Sequence, residues 1–260
     1  MPQLKTQSDF RPVQRLDFCY ICGGELGPGD ARNKDHVPPK SLFLPADREP
    51  SLWLPTHPTC NSDQTLDDEK IGQLIALKYG EVPTNPDHRR LKLLVGDGYG
   101  AVVNLDVHGA VWRWIRGFHA TLYGEPLLLP IGGALVTPFP RAPLVNGPVN
   151  VEELKPQHTH FVRVIKDNRA LQNLDRIVSN RARLTYECVW ARSDNEGPWM
   201  CIFGLDLYEW KDLGATEGFP ARGCAGFYVT ASGQLPPMAT VANTTAHDVH
   251  YTDPLDPFGL

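Results

Sequence analysis

Four residues in the first sixty have the types and spacing of a metal site. Cys19 and Cys22 form a C-x-x-C pair, and His57 and Cys60 repeat that spacing with an imidazole in place of one thiolate. Two residues between ligands let a single turn aim both donor atoms at one ion, and Cys3His is an accepted tetrahedral set for Zn2+. A C-x-x-C pair can instead be a redox couple, which requires a helix to start at the motif. Here Gly23-Gly24 and Gly27-Pro28-Gly29 follow at once and favour a tight zinc knuckle. The other three cysteines, Cys188, Cys201 and Cys224, are widely spaced among apolar neighbours and are expected to pack in a core. The pairs His158/His160 and His247/His250 have ligand-like spacing but no partner set, and are expected at the surface or in the tail.

Between the two ligand pairs runs Lys34-Asp35-His36-Val37-Pro38-Pro39-Lys40, and Asn61 follows the last cysteine directly. The order C-x-x-C, D-H-x-x-P, a second ligand pair and then Asn resembles the HNH endonuclease family over residues 17–80. The resemblance implies a ββα-metal module, a two-stranded ribbon packed on one helix. It implies His36 as general base, since an imidazole titrates near neutrality. It also implies Asp35 and Asn61 as oxygen ligands of a catalytic Mg2+ or Mn2+ beside the scissile phosphate. The family's middle Asn, which orients the base histidine, has no counterpart in Glu49-Pro50-Ser51-Leu52-Trp53, where Ser51 is the substitute at hand. Lys34, Lys40 and Arg48 flank this centre and are candidate phosphate-binding residues.

The resemblance implies the ribbon that must position these groups, and local pattern gives the helix. Residues 31–37 and 51–57 read as the two strands, with a proline-rich loop over 38–50. Adjacent side chains on a strand point to opposite faces. Asp35 and His36 can therefore share a pocket only if the strand ends there, as Pro38-Pro39 suggests. The helix starts at Thr65, a hydroxyl cap before Asp67, Asp68 and Glu69. Those acids are expected to complement the helix dipole, with Asp63 beside them. Ile71, Leu74, Ile75 and Lys78 keep helical spacing, and Gly80 and Pro83 end the run.

Beyond residue 80 a turn-rich linker is expected over 81–104. Val107, Val111, Ile115, Phe118 and Leu122 then form one helical stripe closed by Gly124. Trp112 and Trp114 belong to that helix, and Arg113 and Arg116 are expected on its wet side. Phe161–Ile165, Leu184–Ala191, Trp199–Leu207 and Ala225–Thr230 read as strands, with Ser193–Gly197 as a hairpin turn. The expectation is an α+β chain. A zinc-stabilised HNH module over 1–80 is followed by a helix plus antiparallel-sheet domain over 105–250, for recognition or control, and by a tail over 251–260.

Composition bounds the partners. With 42% apolar residues the chain can bury a core, and no apolar run is long enough for a membrane span. The first residues carry no secretion signal, so a reducing, cytoplasmic compartment is expected. The net charge of −5 excludes nucleic-acid binding through a broad basic face. Any such contact must be local, metal-assisted or conditional. The leading expectation is a metal-dependent endonuclease, acting on DNA rather than RNA, with bacterial defence or mobile elements as the setting by analogy. A homodimer would suit double-strand cleavage, and the C-terminal part could take a regulatory partner. The alternative is a zinc-stabilised nucleic-acid or protein binding module whose nuclease centre has decayed.

Overall fold

A computed structural model describes residues 3–4, 9, 15–49, 52–62, 65–80, 93–96, 99–102, 105–128, 132–136, 151–192, 197–208 and 224–242. Asn33–His36 (β2) pairs antiparallel with Trp53–Thr56 (β3), in the register His36 opposite Trp53 and Asn33 opposite Thr56. A short helix, Pro58–Ser62 (α1), and a longer one, Thr65–Lys78 (α2), follow. The ribbon and helix thus lie within the stretches expected for them. Two 3-10 turns, Lys40–Leu42 and Pro45–Asp47, fill the intervening loop. Gly72 of α2 faces the backbone carbonyl of Ser41 so closely that a Cβ would collide with it.

The second part is a six-stranded sheet. In spatial order its strands are Gln3–Leu4 (β1), Asp175–Ser179 (β7), Leu184–Ala191 (β8), Met200–Leu207 (β9), Cys224–Val229 (β10) and Gly132–Val136 (β6). All neighbours are antiparallel except β1 with β7. Within the expected linker a separate hairpin forms from Leu93–Gly96 (β4) and Tyr99–Val102 (β5).

Strand alternation divides the sheet into two faces. Tyr186, Cys188, Trp190, Cys201 and Phe203 face helix Val107–Tyr123 (α3), while Val189, Ala191, Met200 and Ile202 face helix Val151–Ala170 (α4). The α3 helix runs from its Asp106 cap, which accepts from the Gly109 N–H at 2.9 Å, to Gly124 in the left-handed conformation.

Three expectations change. Phe161–Ile165 is not a strand but the middle of α4. Phe161, Val162 and Ile165 share one helical face and fill the core against the sheet, so β-branched composition misleads there. Arg113 and Arg116 are not on a wet face, since both are buried. The first eighty residues also share a core with the rest: Phe18, Val37, Leu54 and Ile75 belong to one cluster with Trp114, Phe118, Tyr186 and Tyr228. Cys188, Cys201 and Cys224 are buried free thiols, as core packing requires. Asp63, the turn over 193–196, His247, His250 and the tail lie outside the described residues, and nothing of the His158 side chain is described. No helix among the described residues is long and apolar enough to cross a membrane.

Candidate functional site

The knuckle is built by backbone bonds. Phe18 bridges Glu25, the Cys19 N–H donates to the Gly24 carbonyl at 2.8 Å, and the Gly23 N–H donates back to the Cys19 carbonyl at 2.7 Å. Closing so tight a loop puts Gly23 at φ +73°, a conformation natural to glycine. The Gly24 N–H points at Cys22 Sγ, 3.4 Å away. Across from it, one turn of α1 brings His57 and Cys60 together, with the Asn61 N–H donating to the His57 carbonyl at 3.2 Å.

The donor atoms of Cys19, Cys22, His57 and Cys60 all lie within 4.8 Å of one another and could hold a metal ion. His57 Nδ1 is 3.4 Å from Cys22 Sγ and 4.0 Å from Cys60 Sγ. Its Nε2 lies 3.3 Å from the Glu25 carbonyl. A donor bond there would fix the tautomer that leaves Nδ1 free for a metal, as outer partners of ligating histidines do. Burial pushes the thiols up, yet at Cys22 the Gly24 N–H, His57 and the neighbouring thiols outweigh it and bring the group down to about 7. Cys60 goes the other way, to about 11, through burial and the charge of Cys19 and Cys22. A cation is the natural means of holding three thiolates so close.

The centre between the two ligand pairs differs from the expected one. The ladder continues past His36, with the Val37 N–H donating to the Leu52 carbonyl at 3.1 Å. Pleating therefore separates Asp35 from His36. Asp35 turns inward and is 7% exposed. Its Oδ2 accepts from the Tyr20 hydroxyl at 2.5 Å and from Arg113 Nη1 at 3.0 Å. Arg113, 2% exposed, also pairs through Nη2 with Asp68 of α2, which accepts from Trp114 Nε1 at 3.1 Å. A guanidinium from α3 thus bridges the ribbon and the helix, with a carboxylate on each side. Asp35 as an open metal ligand is corrected accordingly. Burial and the Asp35 charge hold the Tyr20 hydroxyl protonated, well above its usual range.

His36 is half-buried on the opposite face of the ribbon. The backbone of Leu52 hydrogen-bonds its ring, which orients the imidazole without the missing Asn. Burial, with Lys40 and Lys34 nearby, lowers its pKa below the usual value, outweighing Leu52 and Asp35. Lys34 is exposed, with Nζ 4.7 Å from the centre of the Trp53 ring, and Lys40 is exposed at the head of its 3-10 turn. Arg48 is held by its own loop, Nε donating to the Phe43 carbonyl at 3.0 Å. Asn61 is half-buried in α1, which packs against β2. Ser51 lies outside the described residues.

Sequence reasoning misses Tyr20, Asp68, Arg113 and Arg116 as parts of this region. The signal available was two arginines three apart inside a helix otherwise apolar on that side. No family model matches the chain, and neither a curated protein nor a solved structure matches it.

Proposed function

We propose that this chain is an HNH-type endonuclease that hydrolyses nucleic-acid phosphodiester bonds, DNA in preference to RNA, with His36 as general base and a structural Zn2+ on Cys19, Cys22, His57 and Cys60. The observation that carries the reading is the setting of His36. Its imidazole is half-buried on the ribbon, is hydrogen-bonded by the Leu52 backbone, and has its pKa lowered by burial and by Lys40 and Lys34 nearby. A neutral imidazole takes a proton from an attacking water, and Lys34 and Lys40 supply positive charge for the phosphate. The donor set fits zinc, because three thiolates and one imidazole satisfy its tetrahedral preference. A zinc ion held there would tie the Cys19–Cys22 turn to the start of α1, which carries Cys60.

The expected catalytic Mg2+ or Mn2+ does not fit the arrangement described. Such ions take oxygen ligands with open water positions, whereas Asp35 is buried and bound to Arg113 and Tyr20.

That same contact favours a second reading, in which the chain is a zinc-stabilised nucleic-acid or protein binding module without hydrolytic activity. Nicking of supercoiled plasmid separates the two, with wild type and His36→Ala assayed in Mg2+, in Mn2+ and in neither. Nicking by wild type and its loss in the variant support the enzyme. Equal inertness of two zinc-loaded proteins leaves the binding module.

A further inference from the structure

Arg116 presents a buried charge that no carboxylate among the described residues answers. It sits on α3, is 7% exposed, and its Nη1 donates to the Ile21 carbonyl at 2.6 Å, inside the Cys19–Cys22 turn. Among the described residues no carboxylate pairs with it, and its Nε has no hydrogen-bond partner. A buried guanidinium is costly unless an anion answers it. The contact with Ile21 brings the guanidinium against the C-x-x-C turn, where Cys19 and Cys22 are the groups that would carry negative charge in a metal-loaded site.

Three thiolates, a neutral imidazole and a divalent ion sum to one negative charge, and Arg116 supplies one positive charge. We propose that Arg116 is the counter-charge of the metal-loaded Cys3His centre, an outer partner that strengthens Zn2+ binding and makes metal occupancy part of how α3 docks. This rests on the zinc reading but not on the nuclease reading. The neighbouring Arg113 cannot serve, because Asp35 and Asp68 already take its charge.

The test is zinc affinity of the full chain, by competition with a chromogenic chelator, for wild type, Arg116→Lys and Arg116→Met. The same substitutions are repeated on a Cys60→His background, where the loaded site is neutral. Wild type should bind one zinc per chain. Arg116→Met should bind it about 10–100-fold more weakly, the usual loss for an outer-shell change, and Arg116→Lys should lose far less. On the Cys60→His background the penalty of Arg116→Met should vanish. Should Arg116→Met fail to fold, recovery of folding on the neutral background supports the proposal, and failure on both overturns it. Equal affinities for wild type and Arg116→Met overturn it while leaving the zinc site standing. Absence of zinc from wild type overturns both.

Discussion

At the scale of single residues, the Asp35–Arg113–Asp68 bridge decides how the ribbon meets its helix. Each carboxylate would be a costly buried charge alone, and the guanidinium between them offsets both. Removing the central cation is worse than removing the whole set, since it leaves two uncompensated anions side by side. Arg113→Met should therefore lower stability by about 3–5 kcal/mol, read as a shift of the urea midpoint. Adding Asp35→Asn and Asp68→Asn should return much of that loss, because neutral amides need no counter-charge. A triple variant no better than the single one would count against the bridge. The Cys19, Cys22, His57 and Cys60 cluster was legible because such chemistry is carried by spacing within one turn. Arg113 was not, because its partners lie 78 residues and 45 residues away in sequence (113 − 35 and 113 − 68), and a lone arginine in a helix ordinarily reaches water.

At the scale of elements, close backbone approach sets where α2 and α3 can lie. Gly72 lets α2 settle on the turn at Ser41, and Gly117 lets α3 settle on the Val37 side chain at the end of β2. Both approaches fix the end of the strand that bears His36. Gly72→Ala must displace a backbone carbonyl, while Gly117→Ala meets only a side chain. An added methyl in such a place costs about 1–3 kcal/mol, although alanine's better helix propensity returns up to about 1 kcal/mol. Gly72→Ala should thus be the more damaging of the two in thermal melts, with a larger fall in Tm. Strands β8 and β9 and helices α2 and α3 follow from apolar pattern and cap residues, whereas β2, Asn-Lys-Asp-His, has no apolar residue and was expected only through the family resemblance. Helix α4 does not follow from pattern, because Phe161–Ile165 is short, apolar and β-branched, and a local window cannot separate a strand from one buried helical face. The hairpin β4–β5 was likewise hidden in a stretch read for its glycines.

At the scale of the whole molecule, one continuous core joins the knuckle, the ribbon and the sheet, and α3 is its axis. His119 lies at the far end of that axis. It is fully buried, with Nδ1 2.9 Å from the Tyr228 hydroxyl and Nε2 3.3 Å from Glu125 Oε1. The rings of Tyr123 and Trp190 complete its surroundings. Burial lowers its pKa from the usual 6.5 and outweighs the raising effect of Glu125. The sign of the resulting pH dependence is fixed. Below pH 6.5 the unfolded chain takes up a proton that the folded chain resists, so acid favours unfolding until the folded pKa is passed. Above pH 6.5 both states hold the ring neutral and the effect is gone. His36 carries a shift of the same direction, so a fall in stability between pH 7.5 and pH 5.5 is not diagnostic of His119 by itself. The difference between wild type and His119→Gln is diagnostic, because His36 is common to both. Urea midpoints at the two pH values should fall further in wild type than in the variant. Equal falls would mean that the imidazole at the centre of the core is as easily protonated folded as unfolded, and that the core around α3 is wetter than its packing implies.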